Sequence, residues 1–88
     1  MDKMKITLRF FAAIREAVDT SQEELVVPDG VVTTGDVRRH LEQRGGEWAE
    51  ALGAHKTVRM ALDQQMTDDE AALSDGCEVA FFPPVTGG

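Results

Sequence analysis

The chain has little positive charge, one cysteine and no long apolar run. Nine basic residues stand against 16 acidic ones, giving a formal charge of −7. A nucleic-acid binder needs a basic patch to displace counterions, so this balance argues against that class. Arg38-Arg39 is too short to supply such a patch in so acidic a chain. The acidic balance favours solubility and basic protein partners. The single Cys77 leaves no internal disulfide and fits a reducing cytoplasm. Nothing basic lies near it in sequence to lower its pKa, so it reads as a small strand hydrophobe rather than a sulfur relay. No apolar run approaches the roughly 20 residues of a membrane span. Met1-Asp2-Lys3-Met4 carries no signal-peptide pattern, and Met4 offers an alternative start. His40 and His55 match no metal-ligand spacing, and Asp68-Asp69-Glu70 lacks the glycine and terminal glutamate of a calcium loop. These absences point to a cytoplasmic domain with no membrane, nucleic-acid or metal partner.

The residues that are present suffice for a core. Hydrophobic residues make up 42% of the 88, which is ordinary for a globular protein and excludes wholesale disorder. A chain this size buries about 60% of its unfolded surface, so the core is modest.

Met4, Ile6, Leu8 and Phe10 alternate with Lys5, Thr7 and Arg9, the period of a half-buried strand. Phe11, Ile14 and Val18 then recur at helical spacing, so a short helix follows. Glu24–Val27 reads as a second strand, closed by a Pro28-Asp29-Gly30 turn. Thr33 and Asp36 resemble a capping box opening a helix to about Arg44, with Gly45-Gly46 as its left-handed stop. Trp48 and Leu52 predict one or two further helical turns, with Trp48 as anchor, closed by Gly53. A third strand spans Thr57–Leu62. Asp63-Gln64 is a tight turn into a short strand around Gln65-Met66-Thr67, and Asp75-Gly76 turns into a final strand, Cys77–Phe82. Helical cover so sparse argues against a doubly wound parallel sheet; an α+β mixed sheet with its helices packed on one face fits better.

The end of the chain is the most informative part. After Phe81-Phe82, Pro83-Pro84 stop any strand, because proline fixes φ and donates no ladder hydrogen bond. Each proline also holds the residue before it extended. Gly87-Gly88 lack Cβ, so their backbone fits a narrow slot closed to other residues. The six residues from Pro83 reach at most about 20–22 Å. The expected organisation is a domain over residues 1–82 and a flexible tail over 83–88, whose reactive group is the Gly88 carboxyl itself.

Phe81-Phe82-Pro83-Pro84-Val85-Thr86-Gly87-Gly88 resembles the C-terminal signature of molybdopterin synthase small subunits, the MoaD-type sulfur carriers. Phe10-Phe11-Ala12 with Arg15-Glu16, Val37-Arg38-Arg39-His40-Leu41 and Leu73 to Phe81 resemble further segments of that family. The likeness covers nearly the whole chain from Met4. Cys77 departs from the family's usual acidic or polar residue, and Asp63-Gln64 from its usual asparagine-containing turn.

The resemblance implies the β-grasp, or ubiquitin-like, fold. It also implies a subunit that is not an enzyme on its own and binds no cofactor. An ATP-dependent adenylating enzyme, similar to ubiquitin-activating enzymes, would activate Gly88, and a persulfide donor would convert the acyl-adenylate to a thiocarboxylate. The sulfur would pass to cyclic pyranopterin monophosphate in the large subunit, the two subunits forming a heterotetramer. Val85, Thr86 and Gly87, with Pro83 and Pro84, would be the inserted tail.

Adjacent parallel first and last strands, as in the β-grasp fold, would bring Phe11 and Phe82 together at the tail end. That predicts an exposed apolar patch of Phe11, Phe82 and Met66 with Arg15 at its rim. Three other readings use the same residues. A thiamine-pathway sulfur carrier also ends in Gly-Gly but usually lacks the Phe-Phe-Pro-Pro lead-in. A ubiquitin-like modifier would join Gly88 to lysines, and an interaction module would leave the tail inert.

Overall fold

The computed structural model describes residues 3–84. The elements in chain order are β1 (Lys5–Phe10), α1 (Ala12–Val18), β2 (Gln22–Val26), α2 (Thr34–Glu42), α3 (Gly46–Leu52), β3 (Arg59–Leu62), β4 (Gln65–Thr67) and β5 (Glu78–Phe82). The strands form one sheet in the order β2-β1-β5-β3-β4. β1 and β5 are parallel at its centre, and the other pairings are antiparallel. The three helices contribute Ile14, Val18, Val37, Leu41 and Leu52 to one core with the inward-facing strand residues. This is the β-grasp arrangement, a mixed sheet with helices on one face. No helix among the described residues is long and apolar enough to cross a membrane.

The period-two pattern sets which residues face the helices. Ile6, Leu8 and Phe10 of β1 and Val79 and Phe81 of β5 are buried almost completely. Cys77, in the same phase, is buried with them. Burial of each large apolar side chain contributes about 1.5–3 kcal/mol.

Several boundaries differ by one or two residues from the sequence reading; β3 begins at Arg59 and β5 at Glu78, for example. Phe11 does not belong to the helix: its backbone is extended (φ −127°) and its N–H donates to the Phe81 carbonyl at 3.1 Å. The chain turns at Ala12 (φ 53°), so Ile14 and Val18 alone carry the buried face of α1. The two helical stretches expected on either side of Gly45-Gly46 are present as α2 and α3, with α2 ending two residues early at Glu42. Gly45 and Gly46 do adopt positive φ, but Gly45 (ψ −174°) caps the start of α3 instead of closing α2. β2 begins two residues early, at Gln22, because Arg9 of β1 pairs with it.

The capping box at α2 is present in full. The Asp36 N–H donates to Thr33 Oγ1 at 3.1 Å, and Asp36 Oδ2 accepts from the N–H groups of Thr33 and Val32 at 3.2 and 3.1 Å. These bonds satisfy donors that a helix start otherwise leaves unpaired. The bond from Val32, then that from Arg39, hold the Asp36 carboxyl down from 3.8 to about 2. The same helix start is docked on the 68–72 loop. Gly35 N–H reaches the Asp69 carbonyl at 2.9 Å, and a Cβ on Gly35 would lie 2.6 Å from Asp69 Cβ.

Candidate functional site: the tail end of the sheet

Parallel pairing carries β1 and β5 to the same edge of the sheet. Phe10 is the Cα partner of Phe81 there, and the residue after each falls on the opposite face. Two aromatic pairs result. Phe10 and Phe81 stack inside, with centroids 5.8 Å apart, and Phe10 also meets Trp48 edge-on at 5.3 Å. Phe11 and Phe82 meet outside, edge to face, at 5.7 Å. Phe11 remains 38% exposed and Phe82 is half-buried. The chain leaves the sheet from this outer pair through Pro83 and Pro84.

The other two residues predicted for the patch are placed more loosely. Met66 is 56% exposed on β4. Its Cα partner is Ala61, whose partner in turn is Ala80, so Met66 shares the outer face but lies two strands from β5. The intervening alanines leave the surface between Met66 and Phe82 shallow. Arg15 lies one helical turn beyond Phe11, exposed, and borders a depression with Asp19, Thr20 and Ser21.

The cation that does cover the outer pair is Arg9, 5.6 Å from the Phe11 ring centroid. Sequence reading passed over it, although strand alternation already places residues 9 and 11 on one face. Arg59 was also missed. It is exposed and is the Cα partner of Phe82 across the β3–β5 ladder, a non-local pairing with no local signal.

On the helix side, Pro83 and Pro84 border a groove of about 430 Å³ whose walls include Ala13, Ala17, Ala51 and Val58. Its far rim is the 53–57 loop, tied down by Arg38. That guanidinium donates to the carbonyls of Leu52, Gly53 and Lys56 at 2.8, 2.8 and 2.7 Å. Burial lowers the Arg38 pKa. At the opposite corner, Arg44 grips Glu23 through two hydrogen bonds and stacks over Trp48 at 4.5 Å. The hydrogen bond to Glu23 raises the Arg44 pKa. Trp48 therefore anchors α3 against Phe10. Val85, Thr86, Gly87 and Gly88, the expected reactive tail, lie outside the described residues. No group of His, Cys, Asp or Glu among the described residues is arranged to hold a metal ion.

The chain resembles known proteins over nearly its whole length. It is 41% identical over 83 residues to the molybdopterin synthase sulfur carrier subunit of Haemophilus influenzae, covering 94% of this chain and 99% of that one. It is 37% identical to small archaeal modifier protein 3 of Haloferax volcanii, over 97% of this chain and all of that one. Among solved structures, the complex of subunits 1 and 2 of molybdopterin-converting factor from Helicobacter pylori contains a chain of the same fold. Its TM-score is 0.68 at 26% identity, with 97% of this chain and all of that chain covered. The ThiS family model matches residues 8–88, from the middle of β1 to the final glycine. The chain belongs to the ThiS family.

Proposed function

We propose that this protein is the sulfur-carrier small subunit of a molybdopterin synthase, acting in the cytoplasm. The observation that carries the reading is the full-length likeness to sulfur carrier subunits, in a family match that runs through to Gly88. The geometry supports it. Among the described residues, Pro83 and Pro84 leave the sheet at the end where Phe11 and Phe82 stand at the surface, so a partner that seats these two rings is placed to receive the residues after Pro84.

A terminal carboxylate is a poor electrophile, because attack adds negative charge to negative charge. Adenylation by an ATP-dependent activating enzyme converts one carboxylate oxygen into part of a good leaving group and releases pyrophosphate. The terminal sulfur of a persulfide donor then displaces AMP to give an acyl disulfide, and a second thiol attacks the donor-side sulfur, leaving a thiocarboxylate on Gly88 and a disulfide on the donor. In the large subunit that sulfur passes to cyclic pyranopterin monophosphate, and hydrolysis of the acyl–sulfur bond by water returns Gly88 as a carboxylate. A dithiolene needs two sulfurs, so the carrier cycles. The acid–base groups belong to the large subunit, and this chain supplies the tail (Pro83 to Gly88) and the surface that aims it: Phe11, Phe82, Met66 and Arg15. Prolines at the root of the tail reduce the ordering entropy lost on docking.

Incubation with the adenylating enzyme, ATP and a persulfide donor tests the reading by intact mass. The expected result is a gain equal to replacing one oxygen by sulfur, abolished by deleting Gly88. An unchanged mass would count against it. The likeness to an archaeal modifier protein favours a second use of the same carboxyl, isopeptide bonds to lysines. Lysine-linked adducts after activation would reveal that use.

A further inference from the structure

The helix-free face of the sheet is charged differently from the rest of the molecule. In a chain with nine basic and 16 acidic residues, this face presents Lys5, Arg9 and Arg59 against two carboxylates, Glu24 and Glu78. Both carboxylates are already engaged. Lys5 Nζ lies 3.5 Å from Glu24 and Arg9 Nη1 lies 3.7 Å from Glu78. Toward the tail, the apolar seat is therefore flanked by arginine on both sides. Arg9 stands on β1 over Phe11, and Arg59 stands on β3 opposite Phe82.

Resting on the reading above, we infer that the large subunit meets this face with carboxylates around an apolar seat, and that Arg59 is a specificity-determining contact to them. The overall charge of −7 points to basic partners, but it describes the molecule only at long range. At the docking face the sign is reversed. An acidic rim on the partner would be repelled by the molecule's net negative charge but accepted at this face, so charge would orient the encounter as well as strengthen it. Arg59 suits that role because its planar guanidinium fits a carboxylate in two-point geometry beside a ring that docking desolvates.

The test is binding of the unaltered chain, Arg59→Glu and Lys3→Glu to the large subunit from the same organism, at low and high salt. Both substitutions replace one positive charge by one negative charge. Lys3 lies at the other end of β1, 3.9 Å from Asp29, and serves as the control for net charge. Arg59→Glu should weaken binding about tenfold or more at low salt, with the difference shrinking as salt screens it. Lys3→Glu should change it less than about twofold. Unaltered unfolding midpoints would show that both variants are folded. Wild-type binding by Arg59→Glu, or equal weakening by both variants, would overturn the inference. Failure of the unaltered chain to bind would overturn it together with the proposed function. A chain that binds and accepts sulfur but is indifferent to Arg59→Glu would sink the charge assignment alone.

Discussion

Phe10–Phe81 and Phe11–Phe82 are two aromatic pairs built from consecutive residues of the same two strands, and they share little beyond that. The inner pair is stacked and almost wholly buried under the helices, with Trp48 against its edge. The outer pair meets edge to face on a surface that no helix covers, with an arginine over one ring. The inner pair is held by the molecule's own core. The outer pair leaves aromatic area unused within the chain, and such area is what a partner can cover. The contrast teaches that a one-residue step along a strand is enough to separate residues that stabilise the fold from residues available for recognition.

Removing the inner ring gives the largest expected effect. Phe81→Ala should lose about 3–5 kcal/mol of stability by denaturant unfolding, since it leaves a cavity among buried neighbours. Phe82→Ala should lose only about 1 kcal/mol, the scale of one aromatic contact, yet weaken binding to the large subunit. Equal stability losses would break the comparison, and so would an unaltered affinity for Phe82→Ala.

Gly35→Ala tests the helical roof over the inner pair. The added methyl would meet Asp69 Cβ at 2.6 Å and the Asp69 carbonyl at 2.7 Å, so the α2 start and the 68–72 loop must separate. A loss of about 2 kcal/mol is expected despite alanine's better helix propensity. Binding through the outer pair should change little once the variant is compared below its unfolding transition.

The smallest effect is that of acid on the same helix start. Asp36 has its carboxyl held at about 2 in the folded state by bonds from Val32 and Arg39, against an unfolded value near 3.8. A depressed folded value contributes stability that is fully present above the unfolded one and is lost as pH falls through the folded one. Stability should therefore decline between about pH 5 and pH 2, and Asp36→Asn should flatten that decline. Unfolding followed by Trp48 fluorescence, which reports on the inner pair, would measure it. An Asp36→Asn variant that declines as steeply as the unaltered chain would show that other carboxylates govern acid sensitivity.

Much of this was readable before any fold was known. Alternation in β1 marked Ile6, Leu8 and Phe10 as core and left Phe11 out of phase. The spacing of Thr33 and Asp36 announced the start of α2, and Asp63-Gln64 announced a turn that the structure closes with positive φ at both residues. Where the reading slipped, the deciding contact was distant. Phe11 has helical spacing with Ile14 and Val18, but its N–H pairs with the Phe81 carbonyl across the sheet and holds it extended.

By itself the sequence determined the phase of each strand, the helix cap and a chain end stiffened by two prolines. All of these depend on neighbours a few residues apart, where sterics and hydrogen bonds act without the rest of the molecule. Only the tertiary structure decided that β1 and β5 lie side by side and parallel. That pairing brings residues from the two ends of the chain into one place, stacking Phe10 on Phe81 and standing Phe11 against Phe82. Across the next ladder it also sets Arg59 beside Phe82. No local rule encodes such register, because it is chosen by which arrangement buries the apolar faces of all five strands and three helices at once.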